Sequence, residues 1–229
     1  MVFEPITNEH APAMSGDREV HLWSVTVDIP ADAQSRSLAL LCDRERERAR
    51  RFVSEAERRR FVVARAALRT LLARYLGTRS EAIHFDAGPF GKPCCRIAGG
   101  RPLHFNVSHS GEVALLAFSA AEEVGVDVEL VRDIADAERI ARRFFHPEEV
   151  EQWLGLPLEL RRRAFFENWT RKEAYLKALG RGVESTSLRT PGSEDEAWSI
   201  LSVSPSQAYA AALAIRGRAW NLRCWRLVA

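Results

Sequence analysis

The chain has 229 residues, 33 of them basic and 31 acidic for a net charge of +2, and 46% are hydrophobic. It can therefore bury one large core or two small ones, and it lacks the overall field of a nucleic-acid coat. No basic segment at the N-terminus leads into an apolar stretch, and no apolar run reaches the roughly 18 residues of a membrane helix, so neither secretion nor membrane spanning is expected.

In chain order, residues 21–28 (HLWSVTVD) have strand character, and residues 45–76 predict two helices closed by Gly77 as the residue after the C-cap. Cys42 precedes these helices; with Cys94, Cys95 and Cys224 it makes no CxxC, and the adjacent pair would be a strained disulfide, which suits a reducing cytoplasm. Asn106, Val107 and Ser108 match a glycosylation sequon that is without consequence in a protein that is not secreted. Residues 113–119 and 124–130 predict two strands of a hairpin joined through 120–123. Residues 134–179 predict helix, interrupted near Gly155, Leu156 and Pro157 and closed by Gly180, and residues 198–229 contain three short apolar runs consistent with strands.

Laid over each other without gaps, residues 58–77 (RRRFVVARAALRTLLARYLG) and 161–180 (RRRAFFENWTRKEAYLKALG) both open on three arginines and close on Leu-Gly. This predicts an α+β fold of two similar lobes, residues 1–112 and 113–229, related by a pseudo-twofold. Each lobe is expected to be a helical layer on a small, mainly antiparallel sheet, with a ligand cleft between the two. Basic charge is concentrated locally, in residues 44–51 (RERERARR) and the two arginine triplets; solvated helix faces with Arg/Glu pairs are one account of it. Only Lys92, Lys172 and Lys177 are lysine. In so arginine-biased a chain, these mark places where a compact ammonium serves better than a planar fork, phosphate oxygens among them.

In the stretch Val124 to Leu130 (VGVDVEL) apolar residues alternate with the others, so Asp127 and Glu129 share one strand face. Two such carboxylates repel by about 4 kcal/mol at about 4 Å and an effective dielectric of about 20, so convergence calls for a cation. A wet edge strand with both acids in water is the alternative. On the helix beginning at Phe165, 100° per residue places Lys172 and Glu173 within the arc of Phe165, Phe166, Trp169, Leu176 and Leu179. A charge within an apolar face is tolerated when paired or bound to an ion. Glu173 therefore offers either a third carboxylate beside Asp127 and Glu129 or an ordinary i, i+4 partner for Lys177. Three acids suit Mg²⁺, with Mn²⁺ as a substitute, better than Zn²⁺, and the six histidines show no zinc spacing.

Together, GVDVE at 125–129 and WTRKEAYLK at 169–177 resemble the signature of the 4′-phosphopantetheinyl transferases, and FGKP at 90–93, FNVSHSG at 105–111 and Phe144-Phe145 extend the likeness over roughly residues 44–190. The chain length resembles the monomeric, two-lobed members that act on peptide and polyketide synthase carrier domains. The resemblance implies transfer of the phosphopantetheinyl arm of coenzyme A to a serine of an apo carrier protein, releasing adenosine 3′,5′-bisphosphate. It further implies Asp127, Glu129 and Glu173 as metal ligands and Lys172 and Lys177 on the phosphates, Lys177 with a catalytic part. Gly91, Lys92 and Pro93 would lie along the nucleotide, and Ser108, His109, Arg48 and Arg60 at the 3′-phosphate. Glu149 would be the general base, with Glu148 as the alternative if the register slips, although Pro147, Glu148 and Glu149 also read as an ordinary helix start. One position that is often lysine in the family falls on Glu45, which leaves Arg44 and Arg46 interchangeable as further phosphate contacts. The carrier is expected to dock along residues 132–148. Two other classes use similar residues: a Mg²⁺-dependent nuclease or nucleotide phosphohydrolase, and a binding module without turnover.

Overall fold

A computed structural model describes residues 2–7, 12–14, 16–87, 93–95, 103–182, 189–192 and 195–228. The chain runs β1 (Glu4–Thr7), β2 (Glu19–Thr26), α1 (Ala31–Ala39), α2 (Asp43–Arg50), α3 (Glu55–Tyr75), β3 (Phe85–Ala87), β4 (Pro93–Cys95), β5 (His104–Ser110) and β6 (Val113–Ser119). It continues through β7 (Val124–Leu130), α4 (Ala137–Phe144), α5 (Pro147–Leu154), α6 (Leu158–Ala178), β8 (Trp198–Ser202), β9 (Tyr209–Arg216) and β10 (Asn221–Val228). One sheet has the order β1-β10-β2-β6-β5 and a second the order β7-β9-β8, with β3 and β4 as a separate ribbon.

Strand alternation explains how these elements stack. Trp23, Leu116 and Phe118 point from one face of the five-stranded sheet onto Val63, Leu68, Leu71 and Leu72 of α3. Their neighbours Leu22, Leu115 and Ala117 point the other way, onto Val124, Val126, Val128, Leu213 and Ile215 of the second sheet. The far face of β9 presents Ala212 and Ala214 to Ala174 and Ala178 of α6. The result is four layers, α3, five strands, three strands and α6, with both sheets buried on both faces. This is the expected α+β fold of two helix-on-sheet lobes. Gly77 and Gly180 close α3 and α6 at φ of 60° and 65°, where a left-handed residue ends each helix.

One expectation is corrected, and the sheets show two further features. β6 and β7 form no hairpin with each other: β6 pairs on its two sides with β2 and β5, and β7 pairs with β9. Residues 120–123 carry the chain from one sheet to the other instead. The five-stranded sheet is mixed, because β10 returns from the C-terminus to lie parallel between β1 and β2. Finally, β6 and β10 lie beyond position 112 yet belong to the sheet under α3, so the layers are not cut by one point in the sequence. Among the described residues no helix is long and apolar enough to cross a membrane.

Candidate active site

Gly125 sets the distance between β7 and α6. A Cβ added there would meet the Ala174 carbonyl oxygen at 2.0 Å and the Ala178 nitrogen at 2.5 Å, so only glycine lets helix backbone rest on strand backbone. Because side chains alternate, Asp127 and Glu129 leave β7 on the same face as Gly125, toward α6. One residue before each of the two contact points, Ala174 and Ala178, α6 supplies Glu173 and Lys177. Alanine at 174, 178, 212 and 214 completes the close approach.

Asp127 is 4% exposed. Its Oδ1 accepts from Lys177 Nζ at 2.6 Å and from the Ser108 hydroxyl at 2.7 Å. Lys177 also donates to Ser108 Oγ at 3.2 Å and to the Val126 carbonyl at 3.3 Å. Asp127 Oδ2 is buried and accepts nothing. An unsatisfied buried carboxylate oxygen is rare, and here it lies on the face shared with two more acids. Burial, reinforced by the charge of Asp127, pushes the Glu129 carboxyl above the ordinary glutamate range against its bond from Ser110 and the charge of Arg132. Burial also raises Glu173; Lys177 opposes that shift and the charges of Asp127 and Glu129 add to it. The three carboxylates thus lie within each other's fields, as strand and helix periodicity suggests.

Among the described residues no three His, Cys, Asp or Glu side chains already stand in metal-binding geometry. The donor set nonetheless fits a hard cation: oxygen only, one oxygen without a partner, and two carboxyls that burial has made reluctant to ionise. Asp127, Glu129 and Glu173 are the residues that could hold it.

Strand β5 closes the site from the other sheet. Asn106, Ser108 and Ser110 project toward β7 and accept the amides of Val126 at 3.0 Å, Val128 at 3.4 Å and Leu130 at 3.1 Å. Side-chain oxygens thus take the place of a neighbouring strand on the edge of β7. Ser110 also donates to Glu129 Oε2 at 2.7 Å. Ser108, expected at a phosphate, is 8% exposed and engaged with Asp127, Val128 and Lys177. The sequence argument missed Asn106 and Ser110, although the polar alternation 106, 108, 110 on a strand was a usable signal.

Lys172 and Glu149 meet each other: Nζ lies 3.2 Å from Oε2, and Lys172 is 3% exposed. Lys172, expected at a phosphate, is held here in a buried ion pair. Glu149 Oε2 also accepts the His146 amide at 2.8 Å, closing the capping box of α5, and Oε1 accepts the Thr190 amide at 3.1 Å. Burial would raise its carboxyl, but these amides and the Lys172 ammonium outweigh it and hold Glu149 below the ordinary range. Pro147 is the first helical residue, as its position before two acids suggests. Glu148 points elsewhere, 3.3 Å from Arg189.

Among the arginines, the structure separates structural from available groups. Glu45 caps α2 through the Cys42 amide and pairs with Arg65 and Arg69 in the interior, which explains an acid where the family often has lysine. Arg46 is tied to the carbonyls of Leu38 and Ala39. Arg44 and Arg48 are exposed on α2, Arg48 over the ring of Phe61. Arg60 borders a small cavity of about 80 Å³ beside Gly111 and Glu112 at the β5–β6 turn. Crowding by the surrounding protein, and then the charges of Lys177 and Arg60, lower the pKa of His109. Gly91 and Lys92 lie outside the described residues; Pro93 opens β4. The expected docking segment, 132–148, follows β7, includes α4 and enters α5.

Comparison with known proteins identifies a family. Residues 123–225 match the 4′-phosphopantetheinyl transferase superfamily, and residues 30–121 match the N-terminal region of 4′-phosphopantetheinyl transferases. The 4′-phosphopantetheinyl transferase HetI of Nostoc sp. is 39% identical over 220 residues, covering 90% of this chain and 92% of HetI. Sfp of Bacillus subtilis is 27% identical, with 71% of each chain covered. The psf-1 transferase of Bacillus pumilus is 34% identical over 61% of this chain and 58% of its own.

Proposed function

The chain belongs to the 4′-phosphopantetheinyl transferase superfamily, and on that premise we propose that it moves the phosphopantetheinyl group of coenzyme A onto a serine of an apo acyl or peptidyl carrier protein. Adenosine 3′,5′-bisphosphate is the other product, and the protein acts as a monomer in the cytoplasm. The observation that carries this reading is the Gly125 contact. It brings Glu173 and Lys177 of one helix onto the strand face that holds Asp127, with its unpartnered Oδ2, and Glu129.

In this reading Asp127, Glu129 and Glu173 would hold Mg²⁺, or Mn²⁺ in its place, which would supply positive charge against the pyrophosphate. Lys177 presents its ammonium beside the same carboxylates, where a phosphate oxygen would lie within its reach. Arg60 and His109 lie by the β5–β6 turn and, with Arg44 and Arg48 of α2, suit the 3′-phosphate, with Gly91, Lys92 and Pro93 along the nucleotide. Glu149 is kept as proton acceptor: its amide donors and Lys172 keep it fixed and ionised, and the same bonds lower its basicity. The carrier docks along 132–148.

The test is to incubate the chain with coenzyme A, Mg²⁺ and an apo carrier domain and to measure the carrier's intact mass. A gain of one phosphopantetheinyl group is expected; no gain across several carriers, or phosphate released without a carrier, would refute the assignment. Asp127→Ala and Glu173→Ala should each abolish the mass gain while the far-ultraviolet circular dichroism stays that of the wild type.

A further inference from the structure

We propose that Ser110 is a positioning residue that aims Glu129 into the ligand set, an inference that rests on the metal-binding reading above. The hydroxyl has one proton to donate and lone pairs to accept with. The Leu130 amide, at 3.1 Å, occupies the accepting side, so the proton is directed at Glu129 Oε2, 2.7 Å away. The direction of the donor is thereby set by the backbone of the same strand that carries the carboxylate. A competitor for Glu129 stands nearby, since Arg132 Nη1 lies 3.8 Å from the same oxygen and its side chain is 60% exposed. Without the serine proton, Glu129 is free to follow Arg132 outward, away from Asp127 and Glu173.

The seam contains its own control. Asn106 accepts the Val126 amide at 3.0 Å as Ser110 accepts that of Leu130, but it has no bond to a carboxylate among those observed. Removing Asn106 breaks the contact between the sheets alone; removing Ser110 breaks that contact and releases Glu129. Ser108 repeats the arrangement with Asp127, where Lys177 also holds the carboxylate, so Ser110 is the cleaner test.

The experiment titrates Mn²⁺ into the full chain without coenzyme A, following free Mn²⁺ by electron paramagnetic resonance, and records the melting temperature of each protein. Ser110→Ala should weaken Mn²⁺ binding by about tenfold or more, the usual effect of losing a group that orients a metal ligand. Ser110→Thr, which keeps the hydroxyl, should bind within about twofold of wild type, and Asn106→Ala should melt lower with unchanged Mn²⁺ affinity. Equal Mn²⁺ affinity in wild type and Ser110→Ala would overturn the positioning role, as would an equal weakening in Asn106→Ala. If the wild type itself binds no Mn²⁺, the metal-binding reading fails first and the inference falls with it.

Discussion

The two long helices, α3 and α6, are alike in form and opposite in use. Each has 21 residues and ends on a left-handed glycine, with Thr78 N bonding Ala73 O after one and Arg181 N bonding Leu176 O after the other. α3 meets its sheet through Val63, Leu68, Leu71 and Leu72, side chains that bury much apolar surface and stand the helix off. α6 meets its sheet through Ala174 and Ala178 against Gly125, Ala212 and Ala214, which bury little and bring the backbones together. Two buried carboxylates differ in the same way: Glu45 of α2, beside α3, is satisfied by Arg65, Arg69 and an amide, whereas Asp127 beneath α6 keeps one oxygen without a partner among the described residues. One lobe is packed for stability, and the other gives up packing to assemble a site.

The largest effect should come from breaking that close contact. Gly125→Ala puts a methyl group 2.0 Å from the Ala174 carbonyl oxygen, which is backbone and can move only with α6. A displacement of about 1 Å at the carboxylates is expected to lower kcat for carrier modification by about 100-fold or more and to lower the melting temperature as well. The matched change in the other lobe is Leu71→Ala, at a residue with 0% exposure. It should cost about 2–5 kcal/mol in denaturant unfolding while the remaining folded protein keeps its kcat. Wild-type turnover in Gly125→Ala would show that the backbone approach does not position the site.

A smaller effect tests the assignment of the exposed arginines. Arg48, exposed on α2 over the Phe61 ring, and Arg60 on α3, beside the small cavity at the β5–β6 turn, have no place in the acidic cluster. Arg48→Ala and Arg60→Ala should each raise KM for coenzyme A by about 10-fold, the loss of one charge-assisted hydrogen bond of about 1.5 kcal/mol, and leave kcat near wild type. The KM difference should shrink in added salt. Steady-state kinetics at several coenzyme A concentrations measure both; a fall in kcat with KM unchanged would place these arginines at the reacting bond instead.

How much of this could be read beforehand depended on whether the signal was local. Alternation in VGVDVEL put Asp127 and Glu129 on one face, helical period brought Glu173 toward them, and Gly77 and Gly180 marked the helix ends, because each depends on a few neighbouring residues. The pairing of strands was not local. Adjacency in the chain suggested that β6 pairs with β7, whereas β2, more than 80 residues earlier, and β9, about as far downstream, offered the edges that were used. For Ser108, nothing nearby in sequence shows that Val128 and Asp127 on the opposing sheet are its partners in the protein. Lys172 carried the same ambiguity: helical geometry placed its charge inside, and only the position of α5 shows that Glu149 answers it.

The finest distinction between the lobes is the sign of their response to acid. In the α3 lobe His21 is 0% exposed, its Nδ1 against the Tyr75 hydroxyl at 2.7 Å, and burial pushes its pKa from 6.5 down to about 4 against the pull of Glu19. The unfolded chain therefore binds a proton that the folded chain refuses, and stability falls as pH drops below about 6.5, by about 2 kcal/mol at about pH 5. In the α6 lobe Glu129 and Glu173 have raised pKa values, so the folded chain binds protons that the unfolded chain has released. Their contribution has the opposite sign: stability rises as pH falls through the raised values toward the ordinary 4.5. Melting temperatures measured from pH 7 to pH 5 in EDTA should separate the two. Relative to wild type, His21→Gln should lose less stability on acidification and Glu173→Gln should lose more, whatever their starting melting temperatures. Parallel pH curves for all three proteins would mean that neither buried group titrates with folding, and the contrast between the two lobes would lose its electrostatic half.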